Sequence, residues 1–297
     1  MAKLIQCIPN VSEGRRKDLI ERLVDVVRGT PGVALLNYSS DESHNRSVIT
    51  MVGSPEGVAD AAFGLAKAAA ENIDLTAHQG EHPRMGAIDV IPFVPIKEVT
   101  MAECIELSRA VGSRIFDELN IPVFLYEESA SAPHRKNLAA VRKGQFEGMG
   151  QKMKEEKWRP DFGTDVHPTA GAVAVGARMP LVAYNINLDT PDIRVADKIA
   201  RTIRESGGGL KHVKSIGVML EDRNIAQVYI NMCNFAATPL YRVFELVRIE
   251  AERYGARIIG SEIIGLTPMD ALIDTAEYYL KLEGFDKKSQ VLENHLM

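Results

Sequence analysis

The sequence predicts an α+β fold of two similar subdomains, each built from a mostly antiparallel sheet with outer helices. A chain of 297 residues is long enough for one large domain or two small ones. Strand-like and helix-like segments follow one another in the order βαββαβ, and the second half repeats that order. Links between neighbouring strands are short, which favours antiparallel pairing over the competing open α/β sheet. We therefore expect two ferredoxin-like units, residues 1–179 and 180–297.

The first unit is predicted from its hydrophobic periodicity and its helix-end residues. Apolar residues on one face predict a helix that begins near Arg16 and ends at Gly29 and Pro31. A second helix begins at Ser54-Pro55, where a capping serine precedes a first-turn proline. The strands predicted around these helices are 4–8, 33–38, 46–52 and 88–93, and further helices are predicted at 100–119 and 136–145.

The second unit repeats this order without obvious residue identity to the first. A strand at 181–187 is followed by a helix that opens at Thr190-Pro191, and Gly207–Gly209 is typical of a helix stop. Alternating apolar residues predict a pair of strands. These strands are 213–220 and 225–233, and a helix from residue 240, a strand at 257–264 and a helix at 268–282 complete the unit.

Composition and motif absences exclude several classes of protein. With 45% hydrophobic and 25% charged residues, the chain has the composition of a globular protein. A net charge of -5 argues against nucleic acid as the main partner, and no apolar run suits a signal peptide or a membrane span, so we expect a cytoplasmic protein. Cys7, Cys104 and Cys233 are scattered, as core residues are. No Gly-x-Gly-x-x-Gly follows a strand and no Gly-x-Ser-x-Gly occurs, which argues against a dinucleotide-binding fold and an α/β-hydrolase.

Side chains that can take part in catalysis or binding are most concentrated between His78 and Asp89, just before a predicted strand. This segment contains two histidines, two carboxylates, an arginine and two glycines. Gly80 and Pro83 make a helix unfavourable there, so the His-x-x-x-His spacing does not predict a metal site. Because an imidazole titrates near neutral pH, His82 suits general acid/base catalysis. For His78, a structural role is as good an interpretation as a functional one.

Two other segments are weaker candidates. The sequence from Asn10 to Gly14 is either part of a site or a helix-capping turn, and Ser12 and Glu13 belong to it. The irregular stretch from Trp158 to Ala172 is long for a loop inside a compact domain, and such loops often bind ligands.

Six segments together are similar to one known family. They are Cys-Ile-Pro-Asn-Val-Ser-Glu-Gly at 7–14, Asn-Arg at 45–46, Gly-Glu-His-Pro-Arg-Met-Gly-Ala-Ile-Asp-Val at 80–90, Trp-Arg-Pro-Asp-Phe-Gly at 158–163, Gly-Ala-Arg at 176–178 and Asn-Ile-Asn-Leu at 185–188. The sequence thereby resembles the formiminotransferase family, whose members are also called glutamate formimidoyltransferases. The resemblance covers nearly the whole chain and is most specific around His82.

The resemblance implies an activity and its partners. It implies transfer of the formimino group from N-formimino-L-glutamate to tetrahydrofolate, giving 5-formiminotetrahydrofolate and glutamate, in histidine degradation and one-carbon metabolism. Tetrahydrofolate is a co-substrate held between the subdomains, no metal is needed, and a homodimer is expected. The vertebrate relative carries a cyclodeaminase region behind this one, whereas this chain ends at Met297, so we expect the stand-alone form, with a separate cyclodeaminase acting on the product.

The resemblance also implies roles for particular residues. His82 is the catalytic proton carrier. The folate-binding loop comprises Gly163, Thr164, Asp165, Val166, His167, Pro168, Thr169, Ala170, Gly171 and Ala172. This loop looks slightly shorter than in the family, and its middle, from Thr164 to His167, differs from the family pattern.

Both substrates carry carboxylates, so a pocket on this acidic chain needs concentrated guanidinium groups. Arg46, Arg84 and Arg178 are the candidates, and Glu81 or Asp89 would orient the imidazole or the pterin. Asn10, Ser12 and Glu13 complete the predicted substrate-binding set.

Three alternatives remain open at this point. The same pocket would serve formyl transfer between folate and glutamate, or cyclisation of 5-formyltetrahydrofolate. A non-catalytic folate-binding protein is an alternative from another class. A metal-dependent hydrolase is the weakest of the three, because the histidine spacing does not favour it.

Overall fold

Two sheets organise the part of the chain that the computed structural model describes, residues 3–295. The chain divides into two units, Met1–Arg178 and Met179–Met297. Each unit combines helices with a sheet in which antiparallel pairs predominate. The predicted α+β class is confirmed.

In the first unit, the predicted βαββαβ order is extended by further elements. In chain order the elements are β1 Leu4–Cys7, β2 Asn10–Val11, α1 Lys17–Arg28, β3 Val33–Asp41, β4 Arg46–Gly53, α2 Pro55–Asn72, β5 Ile88–Lys97, α3 Met101–Leu119, β6 Val123–Glu127, α4 Leu138–Arg142, α5 Gln145–Lys152 and β7 Val173–Ala177. Both β1 and β2 lie between β4 and β5, so they act as one interrupted strand, and β3 pairs with the far side of β4. This arrangement is the ferredoxin-like sheet.

The sequence did not predict β6 and β7. β7 lies between β5 and β6 and pairs with both in parallel, so this sheet is mixed. A single helix predicted at 136–145 is also wrong. The chain there forms α4 and α5, because the left-handed backbone of Gly144, with φ 100°, separates two short helices.

Helices cover both faces of this first sheet. On one face, α1, α2 and α3 bury a large core that includes Leu23, Leu65 and Ile115, together with Cys7 and Cys104. On the other face, α4 and α5 pack Val141 and Met149 against Val90, Phe124 and Tyr126 of the sheet, and Met85 lies in the same cluster. The segment around His82 therefore leads into a strand that is buried on both sides.

The second unit is a four-stranded antiparallel sheet with the order β11-β8-β10-β9. Its elements are β8 Val182–Leu188, α6 Ile193–Ile203, β9 Val213–Leu220, β10 Ile225–Met232, α7 Leu240–Arg253, β11 Ile258–Ile264, α8 Met269–Leu280 and α9 Lys287–Gln290. This order is again ferredoxin-like. The helix predicted to open at Thr190-Pro191 begins later, at Ile193, because Asp192 caps it by accepting a hydrogen bond from the Arg194 N–H at 3.0 Å.

Within the described residues, no helix is both long and apolar enough to span a lipid bilayer.

Candidate active site

His82 lies in the irregular segment between α2 and β5, and that segment is tied to the loop before β4. The Glu81 N–H donates to the Ser43 carbonyl at 3.2 Å, and the Asn45 side-chain amide donates to the Gln79 carbonyl at 2.9 Å. Asn45 is buried and has a left-handed backbone, with φ 47°. Two loops that are distant in sequence are therefore held as one frame.

The His82 ring is half-buried and contacts Arg46, the first residue of β4. The distance between His82 Nε2 and Arg46 Nη1 is 2.5 Å. Because a guanidinium can only donate, Nε2 accepts this bond and carries no proton. Burial, followed by the charges of Arg46, Arg142 and His44, lowers the pKa of His82 from 6.5 to about 3, although the Pro83 carbonyl acts in the opposite direction. His82 is therefore a neutral imidazole at physiological pH.

Asp89 is buried at the start of β5 and forms two strong contacts. Its Oδ1 accepts from the Met85 N–H at 2.8 Å, and its Oδ2 forms an ion pair with Arg142 at the end of α4. Sequence reasoning missed Arg142, which lies outside every motif in a helix predicted with the wrong bounds. Its charge nevertheless acts on His82.

Arg84 and His78 form a structural network beside the site. The Arg84 guanidinium binds the carboxylate of Glu147 in α5 through two bonds of 2.7 and 2.9 Å, and it also donates to Gln145. Its Nε donates to His78 Nδ1 at 3.2 Å, while His78 Nε2 donates to the Asn45 carbonyl at 3.0 Å. His78 is thus held as the Nε2–H tautomer, and burial lowers its pKa. This geometry favours the structural role for His78.

The segment from Asn10 to Gly14 also makes well-defined contacts. Ser12 Oγ donates to the Gly86 carbonyl at 2.8 Å, and Asn10 donates to its neighbour Ile8. Glu13 is buried, which acts to raise its pKa. Hydrogen bonds from the Arg16 and Arg15 N–H groups and from the Arg16 side chain lower the pKa by more than burial raises it. The pKa of Glu13 therefore lies below its ordinary value.

The loop from Gly163 to Ala172 ends in a tight hairpin. His167 and Gly171 exchange two backbone hydrogen bonds of 3.0 Å, and His167 Nδ1 accepts from the Ala170 N–H at 3.0 Å. Burial lowers the pKa of His167. Of the predicted folate-binding residues, Thr164, Asp165 and Pro168 are exposed, Gly163, Val166, His167 and Thr169 are half-buried, and Ala170, Gly171 and Ala172 are buried.

The buried end of this loop joins the segment that follows His82. The Ala172 N–H donates to the Met85 carbonyl at 2.9 Å, and the Ala87 N–H donates to the Ala170 carbonyl at 2.9 Å. Gly171 has φ 72°, and a Cβ there would lie 2.2 Å from the Met85 carbonyl oxygen, so only glycine fits. The segment around His82 and the end of the loop from Gly163 to Ala172, which were predicted separately as site candidates, are therefore adjacent in the first unit.

The remaining predicted residues lie apart from this network. Glu81 is exposed and contributes only its backbone to the loop frame. Arg178 is half-buried at the end of the first unit, where its N–H donates to the Phe93 carbonyl at 3.0 Å.

A narrow cleft lies among most of the candidate side chains. Its lining comprises Ser12, His44, Asn45, Arg46, His78, His82, Arg84 and Asp89. The cleft is too tight to admit a water molecule, so a ligand can enter it only after side chains have moved. Among the residues described by the structure, no group of three or more His, Cys, Asp or Glu side chains is arranged to hold a metal ion.

A neutral imidazole beside guanidinium groups is an arrangement suited to proton transfer next to a bound anion. The class of protein is established by comparison with known families. A family model described as "Formiminotransferase domain, N-terminal subdomain" matches residues 4–178, and one described as "Formiminotransferase domain" matches residues 183–295. The chain therefore belongs to the formiminotransferase family, and the resemblance inferred from its motifs is confirmed.

Individual relatives match the chain over nearly its whole length. The glutamate formimidoyltransferase of Streptococcus pyogenes serotype M1 is 61% identical, over 100% of this chain and 100% of its own. That of Thermoplasma acidophilum is 49% identical, over 99% of this chain and 97% of its own. The formimidoyltransferase-cyclodeaminase of Gallus gallus is 45% identical, over 95% of this chain but only 53% of its own length.

Proposed function

We propose that this chain transfers the formimino group from N-formimino-L-glutamate to tetrahydrofolate, with His82 as the proton carrier. The observation that carries the proposal is the neutral, half-buried His82 ring beside the Arg46 guanidinium, in a cleft that Arg84 also lines. The names of the relatives support the reaction class. Tetrahydrofolate acts as a co-substrate.

The proposed chemistry needs one proton to move in two steps. Nitrogen 5 of tetrahydrofolate attacks the amidine carbon, and the N–H of that nitrogen gives its proton to neutral His82. The bond between the carbon and the glutamate nitrogen then breaks, and His82 returns the proton to that nitrogen. One imidazole serves as base and then as acid, which contributes about 10²–10⁴-fold to the rate.

The charged neighbours of His82 divide into binding and supporting groups. Arg46 and Arg84 both line the cleft, and Arg46 would bind a substrate carboxylate. Arg84 is already committed to Glu147, so we assign it to holding the loop instead. Asp89 lines the cleft and is held by its ion pair with Arg142.

Folate would contact the loop from Gly163 to Ala172. The exposed side chains of Thr164, Asp165 and Pro168 are the accessible part of this loop, whereas Ala170 to Ala172 support it from below. We further propose that residues 1–179 and 180–297 are the two subdomains of the transferase. A homodimer in the cytoplasm, with a cyclodeaminase activity consuming the product, completes the proposal.

The decisive assay incubates purified protein with tetrahydrofolate and N-formimino-L-glutamate and detects 5-formiminotetrahydrofolate by mass spectrometry. His82→Gln should lower turnover at least about 100-fold while folate binding is retained. His134→Gln is the matched control, because His134 lies outside the cleft and bonds to the Lys157 carbonyl. A parallel reaction with N-formyl-L-glutamate tests the formyl alternative, and prior dialysis against a chelator should leave the rate unchanged.

Each outcome decides between the candidate functions. A faster reaction with the formyl donor would replace the proposed substrate. Folate binding without product from either donor would identify a non-catalytic folate-binding protein. Near-normal turnover of His82→Gln would remove His82 from the mechanism.

A further inference from the structure

The contact between Arg46 and His82 occupies the atom that a general base needs. Arg46 Nη1 lies 2.5 Å from His82 Nε2, and the guanidinium is the donor. A lone pair that accepts a hydrogen bond from a permanent cation is a poor acceptor for a substrate proton. In this arrangement His82 is therefore held out of use.

The backbones on both sides of this contact are fixed. Arg46 pairs with Asp41 in the β3–β4 ladder, and the loop of His82 is tied to Ser43 and Asn45 by hydrogen bonds. A change in the contact therefore has to come from side-chain torsions, of which the arginine has more than the histidine.

A carboxylate is a better partner for this guanidinium than a neutral imidazole nitrogen. A carboxylate accepts two parallel charge-assisted hydrogen bonds from arginine, whereas the imidazole accepts one. Arg46 and His82 both line the cleft, which is too tight for a water molecule while the two side chains are in contact. A carboxylate that enters as these side chains move therefore meets the guanidinium beside the ring.

Several charged groups surround His82, and Arg46 is in direct contact with it. Arg142 from α4 is paired with Asp89 of β5. His44 lies with its ring centroid 6.2 Å from that of His82, and its Nδ1 is 3.0 Å from an Asp41 oxygen. Glu81, the preceding residue, is exposed.

We propose that Arg46 is a reversible cap on His82, and that the carboxylate of the amino-acid donor draws the guanidinium away and frees the base. This inference rests on the proposed function, since it takes the donor to be a dicarboxylate amino-acid derivative. It makes Arg46 a specificity-determining residue. An amidine without a carboxylate leaves the cap in place and reacts slowly, even if the amidine reaches the cleft.

The cap can be observed without turnover, from the charge state of His82. Protein labelled with ¹⁵N-histidine is titrated from about pH 8 to about pH 2, so that the range includes the lowered pKa of His82, and the His82 resonance is assigned by its loss in His82→Gln. The ligand is N-acetyl-L-glutamate, which carries both carboxylates and no transferable group, and calorimetry measures its binding. The variants are Arg46→Gln and Arg46→Lys, with Arg15→Gln as the control, because Arg15 bonds to the Glu42 carbonyl nearby.

Saturating N-acetyl-L-glutamate should raise the His82 titration midpoint by at least about one pH unit in the wild type and in Arg15→Gln. In Arg46→Gln the midpoint should already be raised without ligand, and the ligand should add much less. Arg46→Lys keeps the charge with a single point donor and should respond only partly. Near-ultraviolet circular dichroism checks that each variant is folded.

An unchanged midpoint when the ligand is bound would overturn the cap, as would an equal response in Arg46→Gln. Absence of N-acetyl-L-glutamate binding would also overturn it. The proposed function fails separately, through absence of 5-formiminotetrahydrofolate in the assay above. A cap that fails while the product still forms leaves His82 as the proton carrier and removes only the role of Arg46.

Discussion

Gly86 lies where the His82 segment meets the loop that ends at Ala172, and an alanine there should force the two apart. A Cβ on Gly86 would lie 2.1 Å from the Ala172 carbonyl oxygen and 2.6 Å from that of Ile88. Close carbon–oxygen contacts in proteins are about 3.3–3.6 Å, so the backbone must move by roughly 1 Å. Both obstructing atoms belong to the backbone, and no side-chain rotation relieves the overlap.

The cost of Gly86→Ala follows from the hydrogen bonds at this junction. Three of them are at risk: Ala172 N–H to Met85 carbonyl at 2.9 Å, Ala87 N–H to Ala170 carbonyl at 2.9 Å, and Ser12 Oγ to Gly86 carbonyl at 2.8 Å. Each contributes about 0.5–1.5 kcal/mol, so losing all three lowers the free energy of unfolding by about 3 kcal/mol. Transferase activity should fall as well, because the same junction positions the loop.

Urea unfolding followed by the fluorescence of Trp158 measures this change, since Trp158 is the single tryptophan and lies in the first unit. Gly148→Ala is the matched control. Gly148 lies inside α5, where an added Cβ meets no atom within 4 Å, so alanine should stabilise by about 0.5–1 kcal/mol. A Gly86→Ala variant within about 0.5 kcal/mol of wild type would refute the reasoning.

Three further predictions concern stability and pH. Asp161→Asn removes the anion that pairs at 2.9 Å with buried Arg135, so the free energy of unfolding in urea should fall by about 3–5 kcal/mol. An unchanged unfolding midpoint would contradict the importance of this ion pair. Thr100→Ala removes the cap that accepts from the Glu103 N–H at the start of α3 and should cost about 1 kcal/mol in the same assay, whereas no loss would show the cap to be dispensable. Burial and nearby guanidinium groups lower the pKa of His82 from 6.5 to about 3. Between these two pH values the unfolded chain binds a proton at His82 that the folded chain does not bind. The free energy of unfolding should therefore fall as the pH drops from about 6.5 toward 3. Unfolding of His82→Gln should depend less on pH over that range, and parallel curves for the variant and the wild type would refute the assignment.

Much of the fold could be predicted because local patterns agree with the tertiary structure. Helix α1 and strand β9 have the predicted extents within a residue or so, since their apolar residues repeat with the period of the element. Strands β6 and β7 were not predicted because both faces of each strand are buried. A continuous apolar run lacks the alternation of apolar and polar residues by which a half-buried strand is recognised. Their parallel pairing with β5 is a long-range choice that no local pattern encodes.

The candidate site was only partly accessible to sequence reasoning. The segment around His82 was found because polar residues and glycines are dense there, and the structure brings it together with Arg46 and Asp89. Arg142 could not be found in this way, because its place beside Asp89 depends on how α4 packs on the sheet. The ion pair between Arg84 and Glu147 could not be predicted either, because the two residues are far apart in the sequence.

The position of β7 between β5 and β6 also affects the order in which the strands of this sheet can pair during synthesis on the ribosome. β6 is synthesised before β7, yet β7 is the neighbour to which β6 pairs in the sheet. Until residues 173–177 emerge, the apolar run Val123–Tyr126 has no strand beside it, and such bare edges are prone to association with other chains. A nascent chain arrested before Val173 should therefore require a holding chaperone to stay soluble, whereas one extended past Ala177 should not.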